Sequence, residues 1–221
     1  MEIDHLVICV TAPEKLVKIL CDFGLTEGEP NSHFGQGTSN HRFYFDNIYL
    51  EFLYLDDVQA AQSATTKPTR IYERVTDKTG NVSPFGICFF KDKIAPKDSG
   101  FDFNIFPNWQ YKPKFLPSPL KIDIFDAPAS EPMYFFLDFI SSSTHEKHKK
   151  FKHKIGFKNI TNIRYLTPNH RLDSTIKTYI SEQNLLEYVA NDAFAFQLEF
   201  DGGTQGKTHD FRPDFPLIFN W

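Results

Sequence analysis

Ile3-Asp4-His5-Leu6-Val7-Ile8-Cys9-Val10, running on into Thr11-Ala12-Pro13-Glu14, reads as a strand that hands over to a helix. Apart from Asp4 and His5, the first eight residues are apolar and rich in β-branched side chains. Thr11 and Glu14 stand at capping-box spacing, and Pro13 falls in the first helical turn, where a missing N–H costs nothing. Leu16, Ile19, Leu20 and Phe23 recur at helical spacing, and Gly24 supplies the stop. Late in the chain the same opening returns. Ile160-Thr161-Asn162-Ile163 aligns with Ile3-Asp4-His5-Leu6, and Leu172, Ile176, Tyr179 and Ile180 mark the helix that follows.

Between these points the pattern is mostly strand. A polar, Gly-rich loop covers 28–40, strands at 41–45 and 48–54 flank an Asp46-Asn47 turn, a short helix fits 68–76, and 85–90 supplies a fourth strand. After the second helix, 185–190 and 193–200 read as a hairpin across Asn191-Asp192, and 215–221 as a closing strand. Each half is thus βαβββ. The predicted fold is α+β: two βαβββ halves paired to form a cup-shaped mixed sheet with helices on the outer face. We place them in one domain over 1–221, with a first half at about 1–91, a crossover at about 92–158 and a second half at about 159–221. In the crossover, only 120–125 and the apolar 133–140 look like strands.

Composition excludes several classes of partner. A formal net charge of −4 gives no reason to expect a polyanion. No apolar run approaches the roughly 20 residues that span a bilayer, and Glu2, Asp4 and His5 break the first apolar segment, unlike a secretory signal. Cys9, Cys21 and Cys88 are odd in number and widely spaced, as for reduced, buried thiols in a reducing compartment. A cytoplasmic protein is expected, binding neither nucleic acid nor membrane. His145-Glu146-Lys147-His148 lacks the i, i+4 histidine spacing of a zinc protease and sits among lysines, so it reads as a solvated basic loop.

Alternation along strands places the chemistry. Leu6, Ile8 and Val10 share one face of the first strand, and His5 takes the other. Ile48, Leu50 and Phe52 leave Glu51 opposite them, and Phe196, Leu198 and Phe200 leave Gln197 and Glu199. If the halves curl into one cup, His5, Glu51 and Glu199 converge in it. One histidine with two carboxylates suits a divalent ion such as Fe, Mn, Ni, Co or Zn.

Together with the repeated Tyr49-Leu50-Glu51-Phe52 and Gln197-Leu198-Glu199-Phe200, several segments carry a family likeness: Gly35-Gln36-Gly37-Thr38-Ser39-Asn40, Ser83-Pro84-Phe85-Gly86, Ser130-Glu131-Pro132 and His209-Asp210-Phe211-Arg212-Pro213. The chain resembles the glyoxalase-like family of the vicinal-oxygen-chelate superfamily. The resemblance implies a lyase, isomerase or dioxygenase acting on a small carboxylated or carbonyl-bearing metabolite, with metal ligands His5, Glu51 and Glu199. The residues add Glu199, or His209 beside Asp210, as an acid–base group, substrate contacts from Gln36, Asn40, Arg42, Arg164 and Arg212, and, with no P-loop or dinucleotide fingerprint, no nucleotide cofactor; a monomer or homodimer is expected. Asn162 stands where a fourth ligand would, with Arg164 on the same face. Lost metal chemistry therefore remains open, and with it a metal-free protein that sequesters an anion through Arg42, Arg164 and Arg212.

Overall fold

The computed structural model describes residues 1–91, 105–140, 150–168 and 173–221. The basic 145–148 motif and Leu172 lie outside the described residues. Strand β1 (Glu2–Cys9) leads into helix α1 (Pro13–Phe23), and then come β2 (Asn31–His33), β3 (Thr38–Tyr44) and β4 (Tyr49–Leu55). Short helices α2 (Val58–Ala61) and α3 (Ile71–Thr76) precede β5 (Phe85–Phe90). The crossover adds β6 (Asn108–Tyr111), β7 (Ile122–Phe125) and β8 (Met133–Phe136). The second half contributes β9 (Ile160–Thr167), α4 (Thr175–Glu182), β10 (Glu187–Ala190), β11 (Ala195–Phe200), β12 (Thr208–Asp210) and β13 (Leu217–Asn220).

The α+β class with mixed sheets is observed, but the strands are shared out differently from two halves paired in one cup. One sheet has the order β2-β3-β4-β1-β5-β8-β7-β6 and the other β10-β9-β11-β13-β12. The crossover therefore extends the first sheet, while the second half builds a sheet of its own. The expected capping box at Thr11 and Glu14 does not form: Ala12 is the N-cap, without a side-chain hydrogen bond. Gly24 ends α1 as expected, at φ 112°, a conformation that disfavours any side chain.

The core lies between the sheets. Leu6, Ile8, Leu50, Phe52, Ile87 and Phe89 are fully buried and belong to one apolar cluster with Tyr165, Phe196, Leu198 and Phe200 of the second sheet. Phe85 meets Phe196 with ring centroids 4.2 Å apart. Helix α1 shares this core rather than lying outside it: Leu16 and Leu20 are fully buried, and Phe23 packs against Phe211 and Phe219. On the other face of β1, Val7 and Cys9 cluster with Leu53, Tyr111, Ile124 and Phe135, and α3 adds Ile71 and Val75.

Pairing confirms the internal repeat and corrects its correspondence. Strand β1 lies between β4, parallel to it, and β5, antiparallel; β9 lies between β10, parallel, and β11, antiparallel. Both first strands carry an irregularity at the same point, between Ile3 and His5 and between Ile160 and Asn162. Strand β11 is thus the counterpart of β5, not of β4. His5 pairs across to Cys88 as Asn162 does to Glu199, whereas Val7 pairs to Glu51 as Arg164 does to Glu187. The likeness of Leu198-Glu199-Phe200 to Leu50-Glu51-Phe52 is local, and Glu187 holds Glu51's topological place. Nor do 185–190 and 193–200 form a hairpin, because β9 runs between them.

Candidate functional site

The chemistry collects on the face of the first sheet turned away from the second. His5 is 4% exposed and Glu51 6%, and His5 Nε2 lies 3.1 Å from Glu51 Oε2. On the other side of the ring, Asp4 Oδ2 lies 2.7 Å from Nδ1. Neighbours along a regular strand point to opposite faces. The register irregularity at Asp4 removes that constraint and lets its carboxylate reach the adjacent imidazole. Asn40 Nδ2 donates to Glu51 Oε1 at 2.7 Å, completing a chain Asp4–His5–Glu51–Asn40. Tyr49 stacks on the His5 ring at 4.4 Å, and the Phe135 edge meets it at 5.5 Å.

Burial opposes charge at both central groups, yet their partners prevail. For His5, desolvation is outweighed by Cys88 and by hydrogen bonds to Asp4 and Glu51, so its pKa is raised well above the usual value. For Glu51, desolvation is outweighed by the hydrogen bond and charge of His5, with help from His33 and Asn40, and its pKa falls to about 2. Both shifts act in the direction of a charged pair, with Glu51 ionised and a proton held between it and the His5 ring.

A second histidine, which local patterning did not single out, stands beside them. His33 lies on β2, where the sequence suggested loop. Its Nε2 is 3.9 Å from Glu51 Oε1, and its Nδ1 is 3.0 Å from Thr38 Oγ1. Burial lowers its pKa. Phe115 packs on its ring at 4.8 Å. The turn Gly35-Gln36-Gly37 between two polar, alternating stretches was the signal available for this hairpin.

His5, His33, Gln36, Asn40, Arg42 and Glu51 line one cavity of about 190 Å³. Its apolar lining includes Tyr111, Phe115, Ile122, Ile124 and Phe135 from the crossover. A larger groove of about 460 Å³ adjoins it through Ile124 and Met133, and another of about 500 Å³ lies elsewhere; both lack this histidine–carboxylate chain. The histidine–carboxylate chain, not the volume, marks the functional cavity.

Of the sequence-read site residues, the cavity brings together His5, Glu51, Gln36, Asn40 and Arg42. Those of the second half lie elsewhere. Glu199 is held by Thr161 Oγ1 at 2.9 Å, Arg164 pairs with Glu187 at 2.7 Å, and Arg212 with Asp210 at 2.6 Å. His209 rests on Phe23 and Phe211, on the short outer strand β12. The physical reason is the separate sheet: its strands pack on the opposite face of the first sheet and do not direct side chains to the face that carries His5 and Glu51.

A divalent ion on His5 and Glu51 would replace the proton held between them. Their 3.1 Å separation matches two adjacent ligands at bonds of roughly 2.1 Å, and Asp4 behind the imidazole is the outer carboxylate that metal-bound histidines commonly carry. Glu199 does not complete the set; His33 is the nearest further nitrogen. Asp4, His5 and Cys88 also cluster, all buried. In the absence of an ion the Cys88 thiol is pushed up to about 12 by burial, and Asp4 is hydrogen-bonded to Nδ1, so an ion there would displace both protons.

The buried His5–Glu51 pair on a βαβββ first half fits the resemblance read from the sequence. Residues 3–102 match the family model of the glyoxalase-like domain. This bears out that resemblance, and the glyoxalase-like match stops before β6, short of the crossover strands that complete the cavity. Among solved structures, a hypothetical protein from Staphylococcus aureus is similar in fold, with a TM-score of 0.58 at 12% identity, covering 99% of this chain and 98% of that one. No curated protein matches. Among the described residues, no helix is long and apolar enough to cross a membrane.

Proposed function

We propose that this glyoxalase-like protein is an enzyme of the lyase, isomerase or dioxygenase type, acting on a small carboxylated or carbonyl-bearing metabolite. The observation that carries the reading is the chain Asp4–His5–Glu51–Asn40, closing the polar end of a cavity whose other walls are apolar. Asn40 and His5 fix both Glu51 oxygens, so this carboxylate is oriented without freedom to swing. When the proton held between His5 and Glu51 passes from His5 Nε2 to the substrate oxygen that gains charge, Glu51 Oε2 loses that partner and takes the proton released beside the carbonyl. A divalent ion held by His5 and Glu51 would supply Lewis acidity toward neighbouring substrate oxygens.

A second reading, a metal-free binding protein for an anion, is favoured by Arg42. Of the three arginines considered, it alone faces the cavity, and it makes no ion pair among the described residues.

The test is hydrogen–deuterium exchange at carbons next to the carbonyl in a panel of small 2-oxo acids and aldehydes, followed by NMR, with and without added Fe, Mn, Ni, Co or Zn. Catalysed exchange, lost in Glu51→Gln, supports the enzyme. Exchange no faster than buffer across the panel and with every metal would overturn it and leave the binding protein.

A further inference from the structure

We infer that the ligand is a carboxylic acid with an aromatic or branched apolar body, its carboxylate on Arg42 and its body in a pocket supplied by β6–β8. This rests on reading the His5–Glu51 cavity as the active site, and narrows its substrate class.

The head group is assigned by Arg42. It lies on β3 directly across from Glu51, so its side chain belongs to the same face of the sheet. Its Nε donates to the Glu29 carbonyl at 2.8 Å, which fixes the guanidinium plane. No carboxylate lies within 4.0 Å of it among the described residues, so its outer nitrogens are available. A planar, fixed fork suits the two oxygens of a carboxylate. Glu51 cannot fill that role, being engaged by His5 and Asn40.

The body is assigned by what surrounds the histidines. Each carries a ring from the crossover: Phe135 against His5 at 5.5 Å, Phe115 against His33 at 4.8 Å. Ile122, Ile124 and Tyr111 continue this wall, and Phe139, 37% exposed, stands at its margin. A two- or three-carbon acid would leave most of it in water. A phenyl or branched alkyl body would cover it, and flat rings would find offset and edge contacts on the aromatic side chains. The segment that builds the wall begins after residue 102, where the family match ends. Specificity is thus carried by a part of the chain distinct from the strands that carry the acid–base pair.

The experiment is calorimetric titration of the full chain with phenylpyruvate and with pyruvate, beside Arg42→Gln, Phe115→Ala and Ile122→Ala, each checked for an unchanged circular dichroism spectrum. Phe115 and Ile122 are both half-buried, so at least one truncation is expected to leave the fold intact. Phenylpyruvate is expected to bind the parent at least about tenfold more tightly than pyruvate. Phe115→Ala or Ile122→Ala should remove most of that preference by weakening phenylpyruvate severalfold more than pyruvate, and Arg42→Gln should weaken both acids by about tenfold. Equal affinity for the two acids, or an Arg42→Gln variant that binds as the parent does, would overturn the assignment. If neither acid binds while exchange on short carbonyls is still catalysed, the substrate class falls and the acid–base site stands; if exchange is also absent, both fall.

Discussion

His5 Nε2 and Glu51 Oε2 face each other at 3.1 Å from strands that run side by side, with Asp4 holding the far nitrogen of the same ring at 2.7 Å. Neither carboxylate can be removed without leaving a buried charge short of a partner. Glu51→Ala is therefore expected to destabilise the protein by about 3 kcal/mol or more, with Glu51→Gln milder because its amide still accepts from Asn40. Urea unfolding of both variants beside the parent checks this; equal, small losses would show that the pair contributes little.

The same pair sets a pH window. Glu51 falls from an ordinary 4.5 to about 2, so its contribution is complete above 4.5 and is lost as acid takes the pH down toward 2. His5 is shifted up, so its contribution is complete below its ordinary 6.5 and is lost as pH rises through the higher folded value. The stabilisation is expected to be full between about pH 4.5 and 6.5 and to decline on both sides, by on the order of 3 kcal/mol on the acid side. Unfolding free energies of parent and Glu51→Gln across pH 3 to 10 read it directly, since only their difference should follow this profile.

His153 should respond to acid in the opposite sense to His5. Its Nδ1 accepts from the Thr26 N–H at 2.9 Å, and its Nε2 donates to the Tyr44 carbonyl at 3.0 Å, so the ring is neutral. Burial lowers its pKa from 6.5, despite the Tyr44 carbonyl. Its contribution is present above pH 6.5 and fades as the pH falls through the lower folded value, because protonation turns the acceptor of the Thr26 bond into a second donor. NMR titration of the His153 ring should give a midpoint below 6.5, accompanied by loosening of the Thr26 amide in hydrogen exchange. A midpoint above 6.5 would contradict it.

Gly37 fixes the hairpin that carries His33. Its φ is 82°, and a Cβ there would stand 2.1 Å from the Asp57 carbonyl oxygen and 2.6 Å from the Ala61 nitrogen, both backbone atoms. Its own carbonyl accepts from the Asp56 N–H at 3.1 Å. Gly37→Ala is expected to cost about 2 kcal/mol or more and to weaken ligand binding by displacing His33. A thermal melt with a paired binding assay checks both; an unchanged melt would show that the turn accommodates the methyl.

Glu131 anchors Ser174, the N-cap of α4, from across the fold. Its carboxylate accepts from the Asp173 and Ser174 N–H groups and from the Ser174 hydroxyl, and its carbonyl accepts from Arg74 Nη1 at 2.9 Å. Glu131→Ala leaves those donors without their acceptor, with an expected loss of about 2 kcal/mol. Amide exchange should quicken across Thr175–Glu182 first; uniform exchange along the chain would point instead to global destabilisation.

What the sequence determined by itself is local and periodic. The β1–α1 opening and its echo at β9–α4 follow from apolar spacing and the Gly24 stop. Alternation put His5 and Glu51 on one face because side chains along a strand have a period of two. Alternation names a face but not which strands sit beside it, since pairing is a long-range choice settled by how whole apolar faces bury. Glu199 passed the face test as well as Glu51 did. Only the folded chain showed that β11 holds the place of β5, that Glu187 stands in Glu51's position already neutralised by Arg164, and that the second sheet turns its apolar face to the core. The irregular crossover, with little periodicity to read, became the other wall of the cavity because β5 had a free edge for β8 to join, and with it came Phe115 and Phe135.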